Sequence, residues 1–226
     1  MATKKPKDTT PHEKPPEKPR EDRIQAVLAR ARAAEQAGDR KAALRALDEA
    51  PEDLRAFGSW HYARGALLCR EGDLEKAIAA FREAVKRDPD IPEVLANLGG
   101  TLVERARAAG PGKPVKKADL DEAIALLEKA AALGPKLPNA RANLGLAYQL
   151  AGRHDDAVAV LEMELQSSPT DIPTFYNYAA ALHFAGREAE SVAALERLLK
   201  VDPGFEPALR SLESARARVA EKKARR

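Results

Sequence analysis

Apolar residues recur at helical spacing from Ile24 to the end of the chain, and short breaks divide them into pairs of helices. Glycines end the first helix of four pairs: Gly38, Gly72, Gly152 and Gly186. Prolines that forbid continuation of a helix follow the second helix of three pairs, 34 residues apart: Pro135, Pro169 and Pro203. The pattern predicts a series of helical hairpins with a period of 34 residues.

The period divides the chain into five blocks of one hairpin each, at residues 24–57, 58–91, 92–137, 138–171 and 172–205. The third block is longer than the others because it contains an insert near residues 107–118. We expect this insert to extend the first helix of the block as a flexible elbow, with Asp119 capping the next helix. Residues 206–226 predict a final helix with one apolar face, formed by Ala208, Leu209, Leu212, Ala215 and Val219.

Small and large residues occupy the same places in every block. The eighth place holds Ala31, Gly65, Gly99, Gly145 and Ala179, and the twentieth holds Ala43, Ala77, Ala123, Ala157 and Ser191. The twenty-fourth place holds Leu47, Phe81, Leu127, Leu161 and Leu195. Small residues let two helices approach closely and large residues fill the remaining space, so the places predict the contacts within each hairpin.

With their 34-residue period, these small places and a Pro near the end of every block but the first, the blocks resemble tetratricopeptide repeats (TPRs). The resemblance covers Ile24 to about Phe205 and departs from the family pattern in several places: Arg30, Pro51, Arg55, Arg64, Glu164 and Leu198. It implies an all-α, right-handed solenoid of about five repeats, closed by the C-terminal helix. It also implies that a partner segment binds in a concave groove lined by the first helix of each repeat.

Three asparagines stand at the sixth place of successive blocks: Asn97, Asn143 and Asn177. They resemble the asparagine ladder with which some family members hold a peptide backbone, a role suited to an uncharged amide that both donates and accepts. Alternatively, Asn stands at this place because the fold itself requires it. Both interpretations stay open at this point.

Other groove places carry mainly apolar residues. By the resemblance, Tyr62, Tyr176, Phe184 and Leu146 face the groove, whereas Phe175 and Tyr178 belong to the core. For the four aromatics of block five, Phe175, Tyr176, Tyr178 and Phe184, filling of the core by all of them is the alternative to a role of the groove-facing pair as interface anchors. The fifth place has no cation, so we do not expect the clamp with which some relatives hold the acidic C-terminus of heat-shock chaperones.

Charge is distributed unevenly, although the net charge is only +3. Residues 1–23 are rich in Pro and in charges of both signs, which predicts a disordered arm. Residues 206–226 carry seven positive and three negative side chains. Four of these cations are candidate contacts for an acidic partner: Arg216, Arg218, Lys222 and Lys223. A solvated helix end is the alternative, and we do not expect nucleic-acid binding.

No catalytic motif or metal-ligand spacing is present in the sequence, and Cys69, the one cysteine, cannot form a disulfide within the chain. We therefore predict a protein without catalytic residues, cofactor or metal. No apolar signal region or membrane span is present, which predicts a cytoplasmic protein, and we expect a bacterial TPR-type scaffold. The predicted function is a scaffold or adaptor that binds a protein or peptide segment in its groove. The alternatives are a rigid subunit docked through its convex face, insert or basic helix, and an RNA-associated adaptor.

Overall fold

The computed structural model describes residues 19–108, 110, 116–137 and 139–224, except the side chains of Lys222 and Lys223. Helices contain 81% of these residues, which include no strand, so the predicted all-α fold is confirmed. The helices are α1 Arg20–Gln36, α2 Arg40–Asp48, α3 Glu52–Arg55, α4 Gly58–Arg70, α5 Leu74–Arg87, α6 Pro92–Ala108, α7 Lys117–Leu133, α8 Ala140–Leu150, α9 His154–Ser167, α10 Ile172–Phe184, α11 Glu188–Val201 and α12 Glu206–Ala224.

The chain forms two compact units, the first ending at Ala56 and the second beginning at Phe57. In the first unit, α1 packs against α2 and α3 around buried Leu28, Leu47 and Leu54. Helix α2 ends at Asp48, three residues before Pro51. Arg30, which departs from the repeat pattern, donates to the carbonyl of Ala46 at 3.0 Å in the last turn of α2. A cation is favoured there because the final carbonyls of a helix lack partners.

Helix α1 begins earlier than the sequence analysis predicts. The expected arm extends to residue 23, but residues 20–23 are already helical, and residues 1–18 lie outside the described part of the chain. Glu21 and Asp22 lie in the first turn, where their negative charges interact favourably with the positive end of the helix dipole. Arg23 forms an ion pair with Asp53 at 3.3 Å, so the start of α1 is held by a contact that the composition of the arm does not predict.

The second unit contains four hairpins and a final helix. We number the hairpins by block, so that hairpins 2, 3, 4 and 5 are α4–α5, α6–α7, α8–α9 and α10–α11. Each second helix also packs against the first helix of the next hairpin, and α11 packs against α12 in the same way. This succession of neighbour contacts is the arrangement expected of a helical solenoid.

The turns within hairpins 2, 4 and 5 depend on glycine. Gly72, Gly152 and Gly186 have φ angles between 75° and 83°, in the left-handed region that side chains with a Cβ rarely adopt. The following helix begins two residues later in each hairpin. Asp73 caps α5 by accepting a hydrogen bond from the backbone N–H of Lys76 at 3.2 Å. The predicted ends of the first helices are therefore confirmed.

The small and large places of the repeat lie against each other as predicted. A Cβ added to Gly65 would lie 2.8 Å from the ring of Phe81, and one added to Gly99 would lie 2.6 Å from Leu127. A Cβ added to Gly145 would lie 2.4 Å from Leu161. These large residues are fully buried, so the eighth and twenty-fourth places form the centre of each hairpin.

The insert lengthens both helices of hairpin 3. Helices α6 and α7 have 17 residues each, whereas α8 and α9 have 11 and 14. The predicted extension of α6 is confirmed, but the prediction that Asp119 caps α7 is wrong because α7 already begins at Lys117. Asp119 instead pairs with Arg105 of α6 at 2.8 Å. Of the insert, Ala109 and residues 111–115 lie outside the described residues.

Helix α12 buries a narrower apolar face than predicted. Ala208, Leu212 and Ala215 are buried, whereas Leu209 is 41% exposed. The buried three repeat at intervals of three and four residues, which places them on one side of a helix. Leu209 lies beside that side, and the prediction that it belongs to the buried face is wrong.

Candidate functional site

The first helices of the second unit lie side by side. Helix α6 contacts both α4 and α8, and α8 contacts α10. Tyr176 of α10 shares a hydrogen bond of 3.2 Å with Ser211 of α12, which extends the row to the last helix. We call the surface formed by α4, α6, α8, α10 and α12 the first-helix wall.

Several polar contacts across the first-helix wall join residues 35 positions apart. Asn97 donates to the hydroxyl of Tyr62 at 3.3 Å, and a nitrogen of Arg218 lies 3.1 Å from Nδ1 of His183. Tyr176 and Ser211 have the same separation. This spacing is one residue longer than the 34-residue repeat. A side chain at a given place of one repeat therefore contacts the residue one place further along in the following repeat. The repeat pattern does not predict this rule, because it gives the residue at each place but not which places meet between neighbouring hairpins.

The three predicted asparagines lie on successive helices of the wall. Asn97 is exposed, and its amide donates to the Glu93 carbonyl at 2.7 Å as well as to Tyr62. A Cβ added to Gly100 would lie only 2.8 Å from the amide nitrogen of Asn143. The absence of a side chain at Gly100 therefore leaves space for the Asn143 amide.

Asn177 is half-buried, and its backbone carbonyl accepts a hydrogen bond from the side chain of Gln149 at 2.7 Å. Gln149 and Gly100 were not among the predicted site residues. The side chains of Asn97 and Asn143 therefore lie against the preceding hairpin, whereas Asn177 contributes its backbone carbonyl to the contact with Gln149.

Two of the other predicted groove residues are held in place by aromatic rings beside them. The ring of Tyr62 lies 6.0 Å from that of Phe81, and Tyr62 is half-buried. Tyr176 is likewise half-buried, with its ring edge-on to Phe205 at 5.6 Å. Leu146 is half-buried on α8. Of the two predicted core aromatics, Phe175 is buried and Tyr178 is half-buried.

Phe184 differs from these residues because 62% of its side chain is exposed. Its ring stacks on that of His154 at 5.4 Å and lies 5.2 Å from that of His183. Phe184 lies at the edge of a cleft of about 220 Å³, which we call the end cleft. The end cleft is lined by Tyr176, Ala179, Ala180, His183, Phe184, Ser191, Leu195, Ser211, Ser214, Ala215 and Arg218.

The predicted cations of the last helix have different surroundings. Arg216 is paired with Glu196 of α11 at 2.8 Å. Arg218 lies against His183 and lines the end cleft. The side chains of Lys222 and Lys223 lie outside the described residues.

A second cleft, of about 730 Å³, lies between α7 and the turn that joins α8 to α9. Its lining includes Lys117 and Leu120 of α7 and Leu150 of α8. We call it the ledge cleft, because the extended start of α7 contributes to it. Beside it, Tyr148 donates to Glu128 at 2.5 Å, and burial together with this carboxylate raises the pKa of Tyr148 to about 12. No pattern in the sequence indicates this cleft.

Cys69 lies on the wall between hairpins 2 and 3. Its sulfur is 3.8 Å from the hydroxyl of Thr101 and 3.8 Å from the carboxylate of Glu104. Burial raises the pKa of the thiol, which favours its protonated form over the nucleophilic thiolate. Within the described residues, no group of three or more His, Cys, Asp or Glu could hold a metal ion. Nor is any helix described here long and apolar enough to cross a bilayer.

Models of the tetratricopeptide repeat family match residues 58–91, 115–172 and 172–205. The chain is a tetratricopeptide repeat protein. This family assignment confirms the resemblance on which the sequence analysis relied. Such repeats are protein-interaction modules, so the chain belongs to a class of scaffolds whose partners are proteins.

Solved TPR structures share the fold. A crystal structure of MamA is 20% identical, with a TM-score of 0.68, and the match covers 82% of this chain and 97% of that one. MamA residues 41 to the end from Desulfovibrio magneticus RS-1 are 17% identical, with a TM-score of 0.70 and coverage of 82% and 98%. TTC0263, a thermophilic TPR protein of Thermus thermophilus, is 22% identical, with a TM-score of 0.60 and coverage of 85% and 98%. No curated protein sequence matches the chain.

Proposed function

We propose that this TPR protein is a non-catalytic adaptor that binds an extended segment of a partner protein along the first-helix wall. The observation that carries the proposal is the exposure of Phe184 beside the end cleft, at the last hairpin of the wall. Aromatic side chains of this kind are frequent anchors at protein interfaces. A bacterial cytoplasmic setting is part of the same proposal.

Polar groups of the wall support an extended ligand. Asn97, Asn143 and Asn177 carry side-chain amides on three successive hairpins. The amide nitrogen of Asn97 already donates to Glu93 and Tyr62, which leaves its oxygen as the acceptor for a partner. A peptide backbone presents alternating donors and acceptors, which such groups can satisfy without selecting its sequence. In this proposal, the apolar anchors supply most of the affinity and the amides fix the path of the segment.

The test begins with identification of a partner by affinity capture and mass spectrometry. Affinity and melting temperature are then measured for Phe184→Ala, Tyr176→Ala, Asn143→Ala and Asn177→Ala. Truncation of an anchor should weaken binding by about 2 kcal/mol, the size of an interface hot spot. Phe184→Ala is the sharpest variant, because a side chain exposed by 62% contributes little to folding.

Met163→Ala is the matched control. Met163 is another large apolar residue, 53% exposed, but it lies on the second helix α9 rather than on the wall. Its truncation should leave affinity unchanged. If Phe184→Ala and the three other wall variants all bind normally, the partner does not use the wall.

Docking through another face is the second candidate, and the ledge cleft is the observation that favours it. Its volume of about 730 Å³ lies within the usual range of ligand pockets, and Leu150 at its edge is 37% exposed. Leu150→Ala should weaken binding in this case, whereas Phe184→Ala should not. Measurement of both variants against one partner separates the two candidates.

A further inference from the structure

We propose that the end cleft selects partner segments in which a large apolar side chain is adjacent to an Asp or Glu. The inference rests on the proposed function, because it assigns the chemistry of one subsite on the first-helix wall. The apolar side chain would pack against Phe184, and the carboxylate would pair with Arg218.

The size of the end cleft favours a side chain over a free small molecule. Its volume of about 220 Å³ is below the roughly 300–1,000 Å³ of typical ligand pockets. Ala180, Ser211 and Ser214 keep it open, because small residues on α10 and α12 face a space that larger ones would fill. The exposed ring of Phe184 offers an apolar surface at its edge.

The charged residues of the end cleft determine which partner residue we expect next to the apolar side chain. His183 and Arg218 line the end cleft, and its described lining contains no carboxylate. Arginine has five N–H donors, and the contacts described for Arg218 use only the Nη1 group, toward His183. Donors therefore remain for a carboxylate that enters from outside.

Unlike Arg218, several arginines of hairpins 4 and 5 and of α12 already have a carboxylate partner. Arg153 pairs with Asp156 at 2.7 Å, Arg187 with Glu190 at 2.6 Å and Arg216 with Glu196 at 2.8 Å. Within the described part of the chain, Arg218 has no such ion pair. The positive charge of Arg218 is therefore complementary to an acidic side chain of the partner, and charge pairing of this type selects between partners.

The experiment uses a random peptide library displayed as an internal segment, so that no peptide has a free C-terminus. Selection on the full chain should enrich peptides with a large apolar residue next to Asp or Glu. Selection on Arg218→Gln should lose the preference for the acid but keep the apolar residue. Arg210→Gln is the matched control, because Arg210 is exposed on the same helix but does not line the end cleft.

An enriched peptide is then synthesised with the acid and with the corresponding amide, both with blocked ends. Fluorescence anisotropy should show about fivefold weaker binding of the amide peptide to the wild type, the upper range for an exposed ion pair. The two peptides should bind equally to Arg218→Gln. Equal binding of both peptides to the wild type, or failure of any peptide to be enriched, would overturn the inference.

Failure of the inference is distinguishable from failure of the proposed function. If enriched peptides lack an acid but lose affinity for Phe184→Ala, the wall still binds peptides and only the assigned chemistry is wrong. If their affinity is unchanged in both Phe184→Ala and Asn177→Ala, the peptides bind elsewhere. That second result would overturn both proposals.

Discussion

Hairpins 3 and 4 have the same central contact, but the two places beside it hold apolar residues in hairpin 3 and an ion pair in hairpin 4. Gly99 faces Leu127 in hairpin 3, and Gly145 faces Leu161 in hairpin 4. At the fourth and twenty-seventh places, hairpin 3 has buried Leu95 and Ala130, whereas hairpin 4 has Arg141 and Glu164, which form an ion pair at 3.6 Å. The repeat therefore requires the contact of small and large residues, but it accepts either apolar residues or a charge pair beside it.

The two hairpins also differ in length, and the extra length of hairpin 3 is stabilised differently from its centre. Arg105 in the extended part of α6 pairs with Glu75 of α5 and with Asp119 of α7, both at 2.8 Å. Arg82 of α5 also pairs with Glu122 of α7 at 2.5 Å. Charged contacts between helices therefore accompany the extension of the hairpin, in which Ala106 is also buried.

Truncation of the large central residue should have the largest effect in both hairpins. Leu127→Ala and Leu161→Ala should each cost about 2–5 kcal/mol of unfolding free energy, because each leaves a cavity against a glycine with no side chain to fill it. Chemical denaturation of the two variants measures the loss. A cost below about 1 kcal/mol in one hairpin would show that its centre can collapse around the missing side chain.

Glu164→Ala should have the next largest effect, because it leaves the mostly buried Arg141 without its carboxylate. We expect a cost of about 1–3 kcal/mol, the penalty for a buried group that loses its partner. The double variant Arg141→Leu, Glu164→Ala reproduces the residues of hairpin 3 and should recover most of the loss. If the double variant is no more stable than Glu164→Ala, the two hairpins do not share this position in the way their alignment indicates.

Tyr148→Phe tests the contact between the two hairpins. It removes the hydrogen bond to Glu128 and should cost about 1 kcal/mol at neutral pH. Because the folded state raises the pKa of Tyr148 to about 12, this stabilisation is complete below about pH 10, the pKa of an unfolded tyrosine, and is lost as pH rises toward 12. The difference between wild type and variant, measured by denaturation at several pH values, should shrink over that range.

Deletion within the insert should have the smallest effect. Removal of residues 111–115 shortens the connection between α6 and α7, and loop length changes stability by only about 0.6 kcal/mol per doubling. Arg105→Ala is the comparison, because it removes two ion pairs and leaves the connection intact. A melting temperature that falls more on deletion than in Arg105→Ala would show that the connection itself packs on the protein.

Helical spacing, the glycine breaks and the recurring small and large residues were sufficient to predict the hairpins and their central contacts. The prediction succeeded there because the contact between the eighth and twenty-fourth places lies within one hairpin, where position along the chain fixes distance. It was wrong for Asp119, because the partner of that carboxylate is Arg105 on another helix. It was also wrong for the start of α1, where Arg23 pairs with Asp53.

The candidate site was predictable in location more than in detail. The repeat pattern placed Asn97, Asn143 and Asn177 on successive first helices, but their contacts with Tyr62, Gly100 and Gln149 form between hairpins. The role of Arg218 depends on which neighbouring cations already have carboxylate partners. Such pairings join helices whose relative placement the repeat pattern does not specify.

The sequence by itself determined the family, the helical hairpins and the buried centre of each, because these depend on local spacing and on side-chain size. Only the tertiary structure determined the surface chemistry: which arginines are paired, that Phe184 is far more exposed than Tyr62 and Tyr176, and that the end cleft and the ledge cleft exist. The physical reason is that burial selects residue type strongly at a few places, whereas surface contacts accept many residue types. Their partners are fixed only when neighbouring hairpins are brought together.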